Sequence, residues 1–255
     1  MYISPVCFEL NKQYLKEAII MSYREEYAAV LADIHNGIVI TDRKLLMLQK
    51  SSDRKHIAHS AAEHGMVIED KEILKLVDKR GWSVAHSCAT QGQIFDDMDI
   101  LLLQTKRGIT VAHVMASKGC IFTDTDILTL RDKTGHTVAH EMARRGHKLT
   151  GLNILTLSDN TGWTVAHQMA LSKNAYTFTD IEILKLTNKF GYTVAHLMAH
   201  RGHVFTDPDI LSWKTGEGWD MDKVRKMGTG VRGSWGIAPT VRGQGKKNIT
   251  ESVEC

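Results

Sequence analysis

The chain has 255 residues and a formal charge of only +3, and the surplus sits in residues 214–255, where eight Lys/Arg face five Asp/Glu. No stretch approaches the roughly 18 consecutive apolar residues of a membrane span, and no basic region followed by an apolar core precedes the rest, as a secretion signal would. An intracellular, cytoplasmic protein is expected, and Cys7, Cys88, Cys120 and Cys255, which lack CxxC spacing, are expected to be reduced thiols.

Taken in chain order, residues 1–50 read as an N-terminal helical cap. Residues 11–34 predict one long amphipathic helix, and Thr41-Asp42-Arg43-Lys44-Leu45-Leu46-Met47-Leu48 opens a second, shorter one. Residues 51–213 then carry an Ala-His pair six times, with histidines at His59, His86, His113, His140, His167 and His196. Their spacing is 27, 27, 27, 27 and 29. A fixed period of this length marks a solenoid, in which no unit buries a core alone and each must stack on its neighbours. The fold class is therefore all-α, built of stacked helix-turn-helix repeats.

Within a unit, Ser83, Thr110, Thr137, Thr164 or Thr193 is placed to cap a first helix. Val138, Ala139, Met142 and Ala143 form its apolar stripe, and Gly65, Gly92, Gly119, Gly146 and Gly202 end it in their units. A threonine or acid then opens a second helix whose apolar side is Ile-Leu-x-Leu, and Gly81, Gly108, Gly135, Gly162 or Gly191 turns the chain into the next unit. The first unit is degenerate, with Arg54 in the glycine slot and His56 in the threonine slot. The fifth carries two extra residues near 172–176, expected to bulge at the surface. Residues 214–255 read as a Gly-rich basic tail, loosely docked or mobile, with Trp219 and Trp235 as its anchors.

The run Asp132-x-x-Gly135-x-Thr137-Val138-Ala139-His140-x-Met142-Ala143-x-x-Gly146-His147 resembles the first half of an ankyrin repeat. It departs in having Val-Ala for Pro-Leu and a period six residues short of the usual one of about 33, so the chain looks like a shortened ankyrin-like variant. The resemblance implies a structural role for the Ala-His histidines and a recognition surface on the turn tips and the exposed side of the first helix.

Those tips are variable within a constant frame. The candidate partner-binding residues are Lys79, Arg80, Trp82, Lys106, Arg107, Ile109, Lys133, His136, Trp163, Phe190 and Tyr192, joined by Arg144 and Arg145 on a first helix. Aromatic and arginine side chains are the usual anchors of protein interfaces. A nucleic-acid binder tracking phosphates with its Lys/Arg tips and basic tail is the competing class. No acid, base and nucleophile converge, so catalytic residues, cofactors and a small-molecule substrate are not expected. His196, His200 and His203 share a helix face and the following turn but offer zinc no fourth ligand. The match to GxGxxG at residues 228–233 has no strand before it and carries no dinucleotide site, and the sequon at Asn248 has meaning only in a secreted chain.

Overall fold

A computed structural model describes residues 5–230, with side chains from 20 to 227. The readings that involve Cys7, Gly233, Trp235, Asn248 and Cys255 lie outside the residues whose side chains are described. Among the described residues the chain is helical, with isolated antiparallel bridges and no strands. It divides into two compact units, one up to Lys106 and one from Arg107.

In the first unit, α1 (Pro5–His35) packs on α3 (Ile57–Glu63), and α3 packs on α5 (Val84–Thr90). Three single-turn helices alternate with them: α2 (Arg43–Leu46), α4 (Lys71–Leu74) and α6 (Met98–Leu101). In the second unit the longer helices α7 (Val111–Lys118), α9 (Val138–Arg145), α11 (Val165–Leu171) and α13 (Val194–His200) pack in series. The single turns between them are α8 (Thr125–Leu128), α10 (Leu152–Leu155), α12 (Ile181–Leu184) and α14 (Pro208–Leu211), and α15 (Met221–Gly230) follows. Each unit is thus a series of consecutive packed helices, the arrangement of a helical repeat stack.

The reason lies in the small residues. The pairs Val84-Ala85, Val111-Ala112, Val138-Ala139, Val165-Ala166 and Val194-Ala195 are completely buried. Alanine lets adjacent helix backbones approach closely, while Met115, Met142, Met169 and Met198 fill the space beside them. Each long aliphatic so buried is worth about 1.5–3 kcal/mol. The second helices contribute the buried Ile-Leu pairs, such as Ile100-Leu101 and Ile183-Leu184. Their caps are aspartates: Asp70, Asp97, Asp124, Asp180 and Asp207 each accept the amide of the second helical residue. The acid is the cap and the preceding threonine is not, because only the aspartate carboxylate stands next to the unpaired amides. At α10 the slot holds Gly151, which offers no side-chain cap.

The pattern continues beyond Trp213, where the sequence reading places a tail. Thr215 donates its amide to the Trp219 carbonyl, and Gly218 donates to Thr215, just as Asp132 and Gly135 do in a regular turn. Asp220 accepts the Lys223 amide and so opens α15, whose Met221 and Val224 are buried; α15 packs on α13. Residues 215–230 therefore form a degenerate final layer. The sequence hides it because Asp220 replaces the threonine and Lys223 the histidine. Cys88 is a buried free thiol, pushed up to about 12 by desolvation.

Candidate recognition surface

The histidine frame comes first, because it decides which residues remain for recognition. In each regular layer the histidine Nδ1 lies 2.6–2.7 Å from the cap hydroxyl, as between Ser83 and His86 or Thr137 and His140. The same Nδ1 accepts the cap residue's own backbone amide, at 3.1 Å for Thr137 and Thr164. The cap oxygen in turn accepts the histidine amide at 3.3 Å. The far side of the ring reaches the next turn. Nε2 donates to the Trp82 carbonyl from His59, to His136 from His113, to Trp163 from His140 and to Tyr192 from His167, at 3.0–3.1 Å.

An Nδ1 that already accepts two hydrogens has no place for a proton, so these rings are neutral and protonated on Nε2. Burial pushes His140 and His167 down from 6.5 to about 4, opposed in part by the carbonyl each one donates to. Burial lowers His59, His113 and His196 as well. The rings are structural bolts between layers. A base or metal ligand needs a free lone pair, and theirs are spent.

The turn tips form a second stitch. Asp78, Asp132, Asp159 and Asn188 each accept two amides across their own turn with one side-chain oxygen, as Asp132 does from Thr134 at 2.8 Å and His136 at 3.0 Å. Successive tips are then joined by single backbone bonds. In the first unit Lys79 donates to Asp53 and Lys106 to Arg80. In the second, Lys133 donates to Arg107, Asn160 to Thr134, Lys189 to Thr161 and Gly216 to Phe190. The turn glycine is required by both backbone and space. Gly135 has φ +80°, and a Cβ there would stand 2.8 Å from the Asn160 nitrogen.

The predicted binding residues separate into two groups on this frame. Lys79, Arg80, Lys106, Arg107, Lys133, Phe190, Arg144 and Arg145 are exposed, Phe190 at 57%. Trp82, Ile109, His136 and Trp163 are only half exposed, and Tyr192 is buried. Trp82, His136 and Trp163 pack on the histidine of their own layer, with ring centroids 4.8–5.5 Å apart, and Tyr192 meets His196 edge-on at 6.4 Å. Trp82 also donates its indole N–H to Ser87, and His136 faces Glu141 at 3.6 Å. These aromatic side chains are packing partners of the frame. The accessible chemistry of the tips is cationic, with Phe190 as its exposed aromatic.

Further residues escaped the sequence reading. In the second unit the ends of the first helices carry exposed Lys118, Arg145, Lys173 and Arg201, of which only Arg145 stands among the predicted residues. Reading the second residue after each buried Met-Ala pair across layers would have found Lys118 and Arg201; in the fifth unit that slot holds Ser172, and Lys173 follows it. In the first unit a shallow cleft is lined by Ile34, Ile38, Val39, His64, Met66 and Val67. His200 is half exposed and His203 packs on Phe205, and among the described residues no three His, Cys, Asp or Glu side chains are placed to hold a metal ion. No helix among them is long and apolar enough to cross a membrane.

No protein-family model matches the chain, and no curated protein is significantly similar to it.

Proposed function

We propose that the chain is a non-catalytic, ankyrin-like scaffold that binds a target protein through its repeat surface and works by occlusion or recruitment. One observation carries this reading. The frame takes up most of the chemistry that repeats from layer to layer, the histidine, its cap and the polar turn residue, while many of the residues that differ from layer to layer stand exposed on tips held by backbone bonds. Chemistry repeated once per layer and bonded within the frame serves stacking, whereas variation on an exposed element held by backbone bonds serves discrimination. The 27-residue spacing and the Thr-Val-Ala-His run support the ankyrin-like reading. Exposed Lys79, Arg80, Lys106, Arg107, Lys133 and Phe190 suit an acidic or mixed protein patch with one aromatic contact.

Crosslinking of the intact protein to its partners, followed by mass spectrometry, tests this against variants of exposed tip side chains. Lys79→Ala with Arg80→Ala, and Phe190→Ala, are expected to lose the crosslinked partner while melting as the parent does. Unchanged crosslinks, together with tight oligonucleotide binding that weakens steeply with salt, would overturn the reading in favour of a nucleic-acid binder.

A further inference from the structure

The ends of the first helices in the second unit form a continuous edge, fixed by bonds from each layer to the one before. Burial and the Arg145 charge lower His147, opposed in part by the Gly119 carbonyl at the end of α7. Asn174 Nδ2 donates to the Gly146 carbonyl at the end of α9, at 3.1 Å. Arg201 donates to the Ser172 carbonyl at the end of α11, at 2.6 Å. The same stitches bring one exposed cation per layer onto the edge: Lys118, Arg145, Lys173 and Arg201.

These cations are poorly balanced from within. Glu141 is occupied by the neighbouring Arg144, at 2.5 and 3.0 Å. Among the described residues no carboxylate pairs with Lys118, Arg145 or Lys173. Lys118 and Arg145 crowd each other, and burial followed by that like charge holds the Lys118 ammonium below its usual range. A cation at a helix C-terminus is favoured by the helix dipole, but the repeat does not demand one. The first unit ends α3 with Glu63 and His64 and α5 with Thr90 and Gln91, and its helices form equally well.

We propose that this edge is a docking strip for an extended acidic segment of a partner protein, whose carboxylates fall one per layer against Lys118, Arg145, Lys173 and Arg201. The proposal rests on the scaffold reading above and names the chemistry of the partner.

Sparse carboxylates fit better than a polyphosphate for two reasons. Duplex DNA presents a charge about every 1.7 Å of its axis, whereas the strip offers one cation per layer. Each layer but one also continues into exposed acids at the start of its second helix, at Asp124 and Asp126, Asp180 and Glu182, and Asp207 and Asp209; these repel a continuous polyanion. Three residues beyond Lys118, Lys173 and Arg201, on the loops that follow them, come half-exposed Ile121 and Tyr176 and exposed Val204, with Lys148 held over the Tyr176 ring. Such a surface accepts apolar residues between the acids.

The probe is a fluorescein-labelled peptide alternating Glu with Val and Leu, long enough to span the strip, titrated by anisotropy into the full-length protein at about 0.15 M salt. Lys118→Glu with Arg145→Glu is expected to weaken binding about tenfold or more, and the milder Lys118→Gln with Arg145→Gln severalfold, with melting unchanged in the milder variant. Lys79→Ala with Arg80→Ala is expected to bind the peptide normally. No peptide binding by the parent, equal binding by the strip variants, or tighter binding of a single-stranded oligonucleotide of equal length would each overturn the strip. The scaffold reading fails separately, when the tip variants keep their crosslinked partner.

Discussion

The two units share one frame and spend their surfaces differently. In the first, ion pairs link successive second helices, from Arg43 to Asp70 at 3.2 Å and from Lys71 to Asp97, while Ile38, Val39, Val67 and Ile94 stand exposed after the first helices. In the second, the residues at those second-helix positions are Thr125, Leu152 and Ile181, and the first-helix ends carry exposed cations. Buried positions hardly change between units, because a neighbour on each side fixes their shape. Surface positions have no such neighbour, so their differences inform on partners.

The largest test of the shared frame is acid. His140 and His167 titrate near 6.5 when unfolded and about 4 when folded. Between those values the unfolded chain holds more protons, so stability is full above about 6.5 and falls as the pH drops toward 4. At about 1.4 kcal/mol per pH unit, each histidine contributes a loss of about 3 kcal/mol. Urea unfolding at a series of pH values checks it; a midpoint that stays constant from pH 7 to 4.5 would contradict the neutral, doubly accepting ring.

Val224→Asp addresses the ends of the two units. Val224 is buried where α15 covers α13, and a carboxylate there is expected to cost about 3 kcal/mol and to expose α13 amides to hydrogen exchange. Val30→Asp in α1 is the matching change in the first unit. If α13 keeps its protection in the Val224 variant, the final layer does not act as a cap.

The smallest effect compares one turn position between units. Gly135→Ala must hold φ near +80° against the Asn160 backbone and is expected to lose about 2 kcal/mol. Arg54, in the same slot of the first unit, already sits at φ +58°. Arg54→Gly relieves that strain but frees the unfolded chain, for a net gain of about 0.5 kcal/mol. Thermal melts of both variants should move in opposite directions; shifts of the same sign would mean that the two turns are not equivalent.

The layers were legible along the chain: the spacing of the histidines, the capping threonines, the Val-Ala pairs and the glycines after the first helices all reappear where they were expected. Each of these is a local requirement, a cap, a left-handed turn or a close approach, and it is written in residue type. Whatever depends on the next layer emerged with the folded stack. Trp82, Trp163 and Tyr192 read as recognition anchors from residue type, and in the structure each packs against the histidine of its own layer, with Tyr192 buried. The layer at 215–230 lacks the histidine and threonine that announce the others, but its backbone closes on Phe190 all the same. Lys118, Lys173 and Arg201 are unremarkable along the chain and become an edge when stacked. Burial and charge crowding are properties of neighbours in space, and residue order alone carries neither.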